Sequence, residues 1–216
     1  MTTHHRPSTL VHGLPRRAVA AALIAAPALW LGARAQAPVT RRATPSQTEG
    51  PFYPVTLPKD MDDDLLRNGK LAYAAGEPSW VGGTVTDLDG RALRGAVVEI
   101  WQCDAAGHYH HPGDRGRADA AFQGFGRVAV DSEGGYRFRT IRPVPYTGRT
   151  PHIHVKVKLG DRELLTTQLY VAGDPNNERD FLWRNLPDDA RAAVTVPFER
   201  GPDGWKARFP IVVAAA

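Results

Sequence analysis

Five histidines lie beyond residue 37, and they fall in two clusters. His108, His110 and His111 surround Tyr109, and His152 and His154 sit in the run Pro151-His152-Ile153-His154-Val155-Lys156-Val157. In a strand, residues two apart point to the same face, about 7 Å from one another along the chain. That spacing lets two imidazoles converge on one metal ion. A competing reading is an exposed strand face with two incidental histidines, because Lys156 and Lys158 continue the same parity. Tyr146 lies six positions before His152, and Tyr109 closes the run Trp101-Gln102-Cys103-Asp104-Ala105-Ala106-Gly107-His108-Tyr109. Either tyrosine alone reads as a packed aromatic whose hydroxyl finds a hydrogen-bond partner. Taken with the His-x-His pair, two phenolates and two imidazoles form a hard, anionic donor set that suits trivalent iron and not the thiolate-seeking metals. The single cysteine, Cys103, excludes an intramolecular disulfide and a Cys-based zinc cluster. It reads as a small buried side chain. His108, His110 and His111 read as exposed or supporting groups, not ligands.

Such residues must be positioned by strands. In 216 residues, 21 glycines and 18 prolines exceed the usual share and favour a turn-rich all-β chain over a helical bundle. The length fits one domain, at most two. Runs of β-branched and aromatic residues predict strands at 81–87, 96–101, 126–130, 136–140, 152–158, 164–171, 193–199 and 205–213. Asp87-Leu88-Asp89-Gly90, Asp131-Ser132-Glu133-Gly134-Gly135 and Gly201-Pro202-Asp203-Gly204 read as turns between them. Many short strands separated by turn signals predict a two-sheet β-sandwich. Residues 38–78 read as a long irregular segment with one short helical turn near Met61 to Arg67, and a second helical turn is expected at Asp188 to Ala193.

Residues 1–37 contain Arg6, Arg16, Arg17 and Arg34 and no acidic residue, so they supply the whole +4 net charge. The basic balance therefore gives no support to nucleic-acid binding. Arg16-Arg17, the Ala/Leu-rich run Ala18 to Ala33 and the small-residue exit Ala35-Gln36-Ala37 read as a cleavable signal peptide, of the twin-arginine type. The run is too short for a comfortable membrane span, so no stable span remains after cleavage. The expected division is a signal peptide at 1–37, an extended segment at 38–78 and a β-sandwich at 79–216. A periplasmic or secreted product starting near Pro38 follows.

Trp101-Gln102-x-x-Ala105-Ala106-Gly107-x-Tyr109, Phe125-Gly126-Arg127, Tyr136-x-Phe138-x-Thr140-Ile141-x-Pro143-x-Pro145-Tyr146 and Arg149-x-Pro151-His152-Ile153-His154 closely resemble the intradiol ring-cleavage dioxygenases. Thr166-Thr167-Gln168-Leu169-Tyr170-Val171-x-Gly173-Asp174-Pro175 continues the match, and Thr48-Glu49-Gly50-Pro51-Phe52-Tyr53 resembles the family's access loop. The resemblance spans about residues 46–175 and points to the protocatechuate 3,4-dioxygenase branch. It implies one non-haem Fe(III) per site, bound by Tyr109, Tyr146, His152 and His154. It gives Arg149 the task of stabilising charge on a bound catechol-type ring, makes Tyr146 a proton acceptor, and places Gln168 along the site. Pro51, Phe52 and Tyr53 would line the substrate pocket. The implied reaction opens the ring between its two hydroxylated carbons with O2 to give a muconate-type diacid. The family also allows a homo-oligomer. Only Thr147 and Gly148 separate Tyr146 from Arg149, a shorter link than in well-known protocatechuate enzymes, so the ring substituents stay open. Two other readings compete. Gly83-x-Val85-x-Asp87-x-x-Gly90-x-x-Leu93-x-Gly95-Ala96-x-Val98 also suits a non-catalytic transthyretin-like binding module, and the two histidine clusters would suit a periplasmic copper or zinc binder.

Overall fold

Where branched apolar residues alternate with polar ones, a strand must bury one face, and where both sets are bulky it must bury two. The computed structural model describes residues 41–214. The expected signal peptide at 1–37 lies outside the described residues. Residues 41–66 run without regular structure to the hairpin of β1 (Arg67–Asn68) and β2 (Leu71–Ala72). Then come β3 (Pro78–Thr86), β4 (Ala96–Trp101), β5 (Phe125–Ala129), β6 (Gly135–Ile141), β7 (His152–Leu159) and β8 (Arg162–Val171). Two short helices, α1 (Phe181–Arg184) and α2 (Asp188–Val194), precede β9 (Thr195–Val196), β10 (Phe198–Gly201), β11 (Gly204–Arg208) and β12 (Ile211–Val212).

The strands form two five-stranded sheets. In the first, β3 is central: β6 pairs antiparallel along one edge, while β11 and β12 pair parallel along the other and β10 pairs antiparallel with β11. The second has the order β5-β4-β7-β8-β9. Val81, Val85 and Phe138 of the first sheet and Val98, Ile100, Ile153, Val155, Val157 and Leu169 of the second fill the core between them. This is the expected all-β sandwich.

Three local expectations need correction. Residues 62–66 form two bends, a bridge from Asp64 to Arg139 and a single turn closed by Arg67 N–H on the Asp64 carbonyl at 3.0 Å, with no helix, because the Asp62 and Asp64 carboxylates accept hydrogen bonds from the backbone N–H groups two residues on. The run 193–199 divides at Pro197 into β9 of the second sheet and β10 of the first. The run 205–213 breaks at Phe209-Pro210, since proline cannot donate to a ladder. There the Phe209 carbonyl accepts a bond from the Tyr136 hydroxyl at 2.6 Å. The helical turn expected at 188–193 is present as α2.

The second sheet is buried on both faces. Ile153, Val155 and Val157 of β7 enter the core, while His152, His154 and Lys156 point the other way and are buried too. What covers them is the segment 44–53. Gln47 donates its backbone N–H to the Thr166 carbonyl at 2.8 Å. Its side-chain amide bonds to Thr167 Oγ1 and the Gln168 carbonyl, both at 3.0 Å. Gln168 Nε2 donates to the Thr48 carbonyl at 3.0 Å. The exposed-face reading of the His-x-His pair is therefore overturned: Lys156 shares its parity and holds the covering segment through an ion pair to Glu49, with a second, at 3.1 Å, to Glu163 on the neighbouring β8.

Candidate active site

Four aromatic side chains from three segments meet on this covered face. His152 and His154 are each 1 % exposed. The Trp101 ring, from the register partner on β4, stacks on His154 with centroids 4.8 Å apart. Gly50 seals the other side. At φ +73° it takes a conformation that favours glycine, and a Cβ there would sit 3.3 Å from His154 Cε1. Tyr109 comes from the loop after β4. Its backbone N–H donates to the buried Asp114 carboxylate at 2.5 Å, and its ring stacks on Phe52 at 4.5 Å. Tyr146 begins a tight turn, closed by Arg149 N–H donating to the Tyr146 carbonyl at 2.7 Å.

The rings pack edge to face, except for Tyr146 and His152, which are tilted at 45°. Tyr109 and Tyr146 are 5.2 Å apart, Tyr146 and His152 5.4 Å, His152 and His154 4.8 Å, and Tyr109 and His154 6.2 Å between centroids. His152 Nδ1 lies 2.6 Å from the Thr150 carbonyl and donates to it, which leaves Nε2 as a free lone pair. That Nε2 faces His154 Nε2 at 3.2 Å. The Tyr109 hydroxyl is buried with no hydrogen-bond partner among the described residues. Two imidazole nitrogens aimed at one point, beside an orphaned phenol oxygen, leave polar atoms that burial makes costly unless a cation joins them. The donor set fits a ferric ion. Burial, with the nearby Arg149 charge, pushes His152 down to about 4. Burial also holds His154 well below its ordinary value, so both imidazoles are neutral. Burial raises the Tyr109 phenol well above its ordinary value. It raises Tyr146 as well, against the lowering influence of Arg149.

Arg149 is fixed from two sides. Its Nε donates to Asp180 Oδ2 and its NH2 to Gln168 Oε1, both at 2.7 Å. Gln168 is fully buried, so its part in the site is to orient Arg149. Asp180 also accepts from Thr150 N–H at 2.9 Å and, through its other oxygen, from Leu182 and Trp183 N–H at 3.0 Å. It thus caps α1 and anchors Arg149 with one carboxylate. Burial alone would raise Asp180, but Arg149 and the backbone donors outweigh it and hold the carboxyl below the usual range. The sequence carried no signal linking Asp180 to a position 31 residues earlier; an acidic residue before Phe181-Leu182-Trp183 announces only a helix start.

Arg149 and Tyr146 open onto a cleft of about 770 Å³. Pro51 and Phe52 line it. Tyr53 does not. Its hydroxyl donates to the fully buried Glu99 at 2.9 Å, and its ring lies against Trp101 and under Lys156. Tyr53 therefore anchors the covering segment from behind. The other histidine cluster does not join the pair: His110 Nε2 bonds with the Phe122 carbonyl at 2.6 Å, His111 Nδ1 accepts from Gly113 N–H at 3.0 Å, and His108 faces Asp114 at 3.6 Å. Among the described residues no three His, Cys, Asp or Glu side chains gather as a metal site, so the copper or zinc reading loses its joint cluster. The tyrosines are what complete the set.

The dioxygenase family model (Dioxygenase_C) matches residues 48–194. The chain is 32 % identical over 205 residues to hydroxyquinol 1,2-dioxygenase of Nocardioides simplex, covering 81 % of this chain and 66 % of that protein. It is 39 % identical over 143 residues to the protocatechuate 3,4-dioxygenase beta chain of Burkholderia cepacia, covering 61 % and 60 %. Among solved structures, it resembles the dioxygenase domain of a dioxygenase carbohydrate-binding protein fusion from Streptomyces sp. SirexAA-E. That match has a TM-score of 0.65 and 30 % identity, and it covers 81 % of this chain and all of that one. The chain spans 60 to 66 % of the length of these two curated relatives. A transthyretin-like module would account for the sandwich alone and leaves the family match and the four converging rings without a reason.

Proposed function

Because the chain belongs to the intradiol ring-cleavage dioxygenase family, we propose that it opens a catechol-type ring between the two hydroxylated carbons with O2, using one non-haem Fe(III). The observation that carries the reading is the pair of Nε2 atoms 3.2 Å apart beside the unpartnered Tyr109 hydroxyl. Tyr109, Tyr146, His152 and His154 would hold the ion. Bound there, ferric iron supplies Lewis acidity that favours the doubly deprotonated catechol and draws electron density from its ring.

The protein's own residues do the rest. Tyr109, buried and stacked on Phe52, is the fixed phenol. Tyr146, half-buried and lining the cleft, is the one that meets substrate; as a phenolate its Oη would take one of the two protons the incoming catechol gives up, the other passing to solvent through the open cleft. Arg149, held by Asp180 and Gln168, keeps a positive charge aimed where negative charge gathers on the ring, with no reorganisation at the moment of reaction. The segment 44–53 excludes water from the far side of His154. Export to the periplasm or medium belongs to the same proposal, on the strength of residues 1–37.

The test is the visible spectrum of the iron-replete protein, with metal analysis, before and after catechol is added without oxygen. A tyrosinate-to-iron band that shifts with catechol is the expected result. A protein that stays colourless after ferric iron is added back would overturn the reading.

A further inference from the structure

Resting on the reading above, we propose that the substrate is a catechol carrying a second aromatic ring, or an equally bulky apolar group, on the side away from its hydroxyls. The same geometry assigns Phe181 as the residue that selects it. The first observation is size. A cavity of about 150 Å³ holds one benzene ring, and the cleft here is about 770 Å³. That volume lies in the range of roughly 300 to 1,000 Å³ typical of sites for larger organic ligands.

The second observation is where the extra room lies. The link Thr147-Gly148 puts no bulky wall beside Tyr146, and nothing packs within 4 Å of the Cβ position of Gly148. Ala106 and Gly107 line the cleft with almost no side chain. The third observation is Phe181, which is 59 % exposed although its neighbours on the chain are pinned. Asp180 fixes the start of α1 to Thr150 and Arg149, so Phe181 is presented on a rigid mount at the cleft wall. Its ring lies 5.6 Å from the Arg149 guanidinium. No part of the core needs it there. An exposed phenylalanine beside Leu182, in an open cleft that Phe52 also lines, provides apolar surface for a ring that extends past the reacting one.

The experiment compares kcat/KM for catechol and for 4-phenylcatechol in the full iron-replete enzyme and in Phe181→Ala and Phe181→Leu. The expected result is a preference for 4-phenylcatechol of at least tenfold. That ratio falls about tenfold in Phe181→Ala, mostly through KM, with partial recovery in Phe181→Leu. Two outcomes overturn the inference while the ring-cleavage reading stands: catechol opened as well as or better than 4-phenylcatechol, or a ratio that Phe181→Ala leaves unmoved. Turnover of neither compound overturns that reading and this inference with it.

Discussion

Tyr109 has no structural reason to carry a hydroxyl, since its oxygen is buried without a partner among the described residues. Tyr109→Phe should therefore fold as well as the parent while losing most of the visible band and at least about 100-fold in kcat, because a metal ligand is removed. An unchanged spectrum in that variant would contradict the ligand assignment. Proton counting gives a second check. Burial keeps both phenols protonated at neutral pH in the metal-free protein, while His152, at about 4, and His154, held well below its ordinary value, are already neutral. Iron binding must then displace two phenolic protons and no imidazolium protons. Affinity should rise with pH, about 100-fold per unit between pH 6 and 8, when measured by competition with a chelator of known affinity. A flat profile would exclude tyrosine ligands. Residue type and spacing singled out the two tyrosines and the His-x-His pair, and the family resemblance proposed them together as one ligand set. The partners that hold the residues around them were not legible, because Asp180 reaches Arg149 across 31 residues and Glu99 reaches Tyr53 across 46, distances that no local pattern encodes.

At the level of elements, β4 and β7 were readable because β-branched residues recur with period two. What that period could not reveal was that the polar face of β7 is roofed by residues 44–53. A buried lysine with two carboxylate partners looks, in sequence, like a solvated one. The runs 193–199 and 205–213 were read as single strands because their apolar residues continue past Pro197 and Pro210, where the ladder cannot. The junction between the 146–150 turn and α1 is the element contact that holds Arg149 in the proposed mechanism, and Asp180 is its pin. Asp180→Asn should cost about 3 kcal/mol in chemical denaturation, as expected when one partner of a buried ion pair is removed. It should also lower kcat/KM, because Arg149 loses its anchor. The sign with pH follows from the depressed carboxyl. The stabilisation is fully present above the ordinary Asp value of about 3.9 and is lost as pH falls below it. The gap between parent and variant should close in acid; a constant gap down to pH 2 would show that the carboxylate charge is not what matters.

For the whole molecule, charge separates cleanly: beyond residue 37 basic and acidic residues balance, and the excess belongs to the first 37. If that segment is an export signal, N-terminal sequencing of the protein recovered outside the cytoplasm should begin near Pro38; a product beginning at Met1 would refute it. The parallel pairing of β3 with β11 and β12 reaches further than stability. Residues 79–86 wait for residues 205–212 before their second edge is covered, and Phe209, Ile211 and Val213 arrive with those strands to complete the core. Both halves of the proposed metal set, at 109 and 146–154, emerge in between. During synthesis, then, all four proposed ligands exist before the sheet behind them can close. A ribosome-bound chain stopped at residue 203 would hold every ligand and still present an open, apolar strand edge to its neighbours.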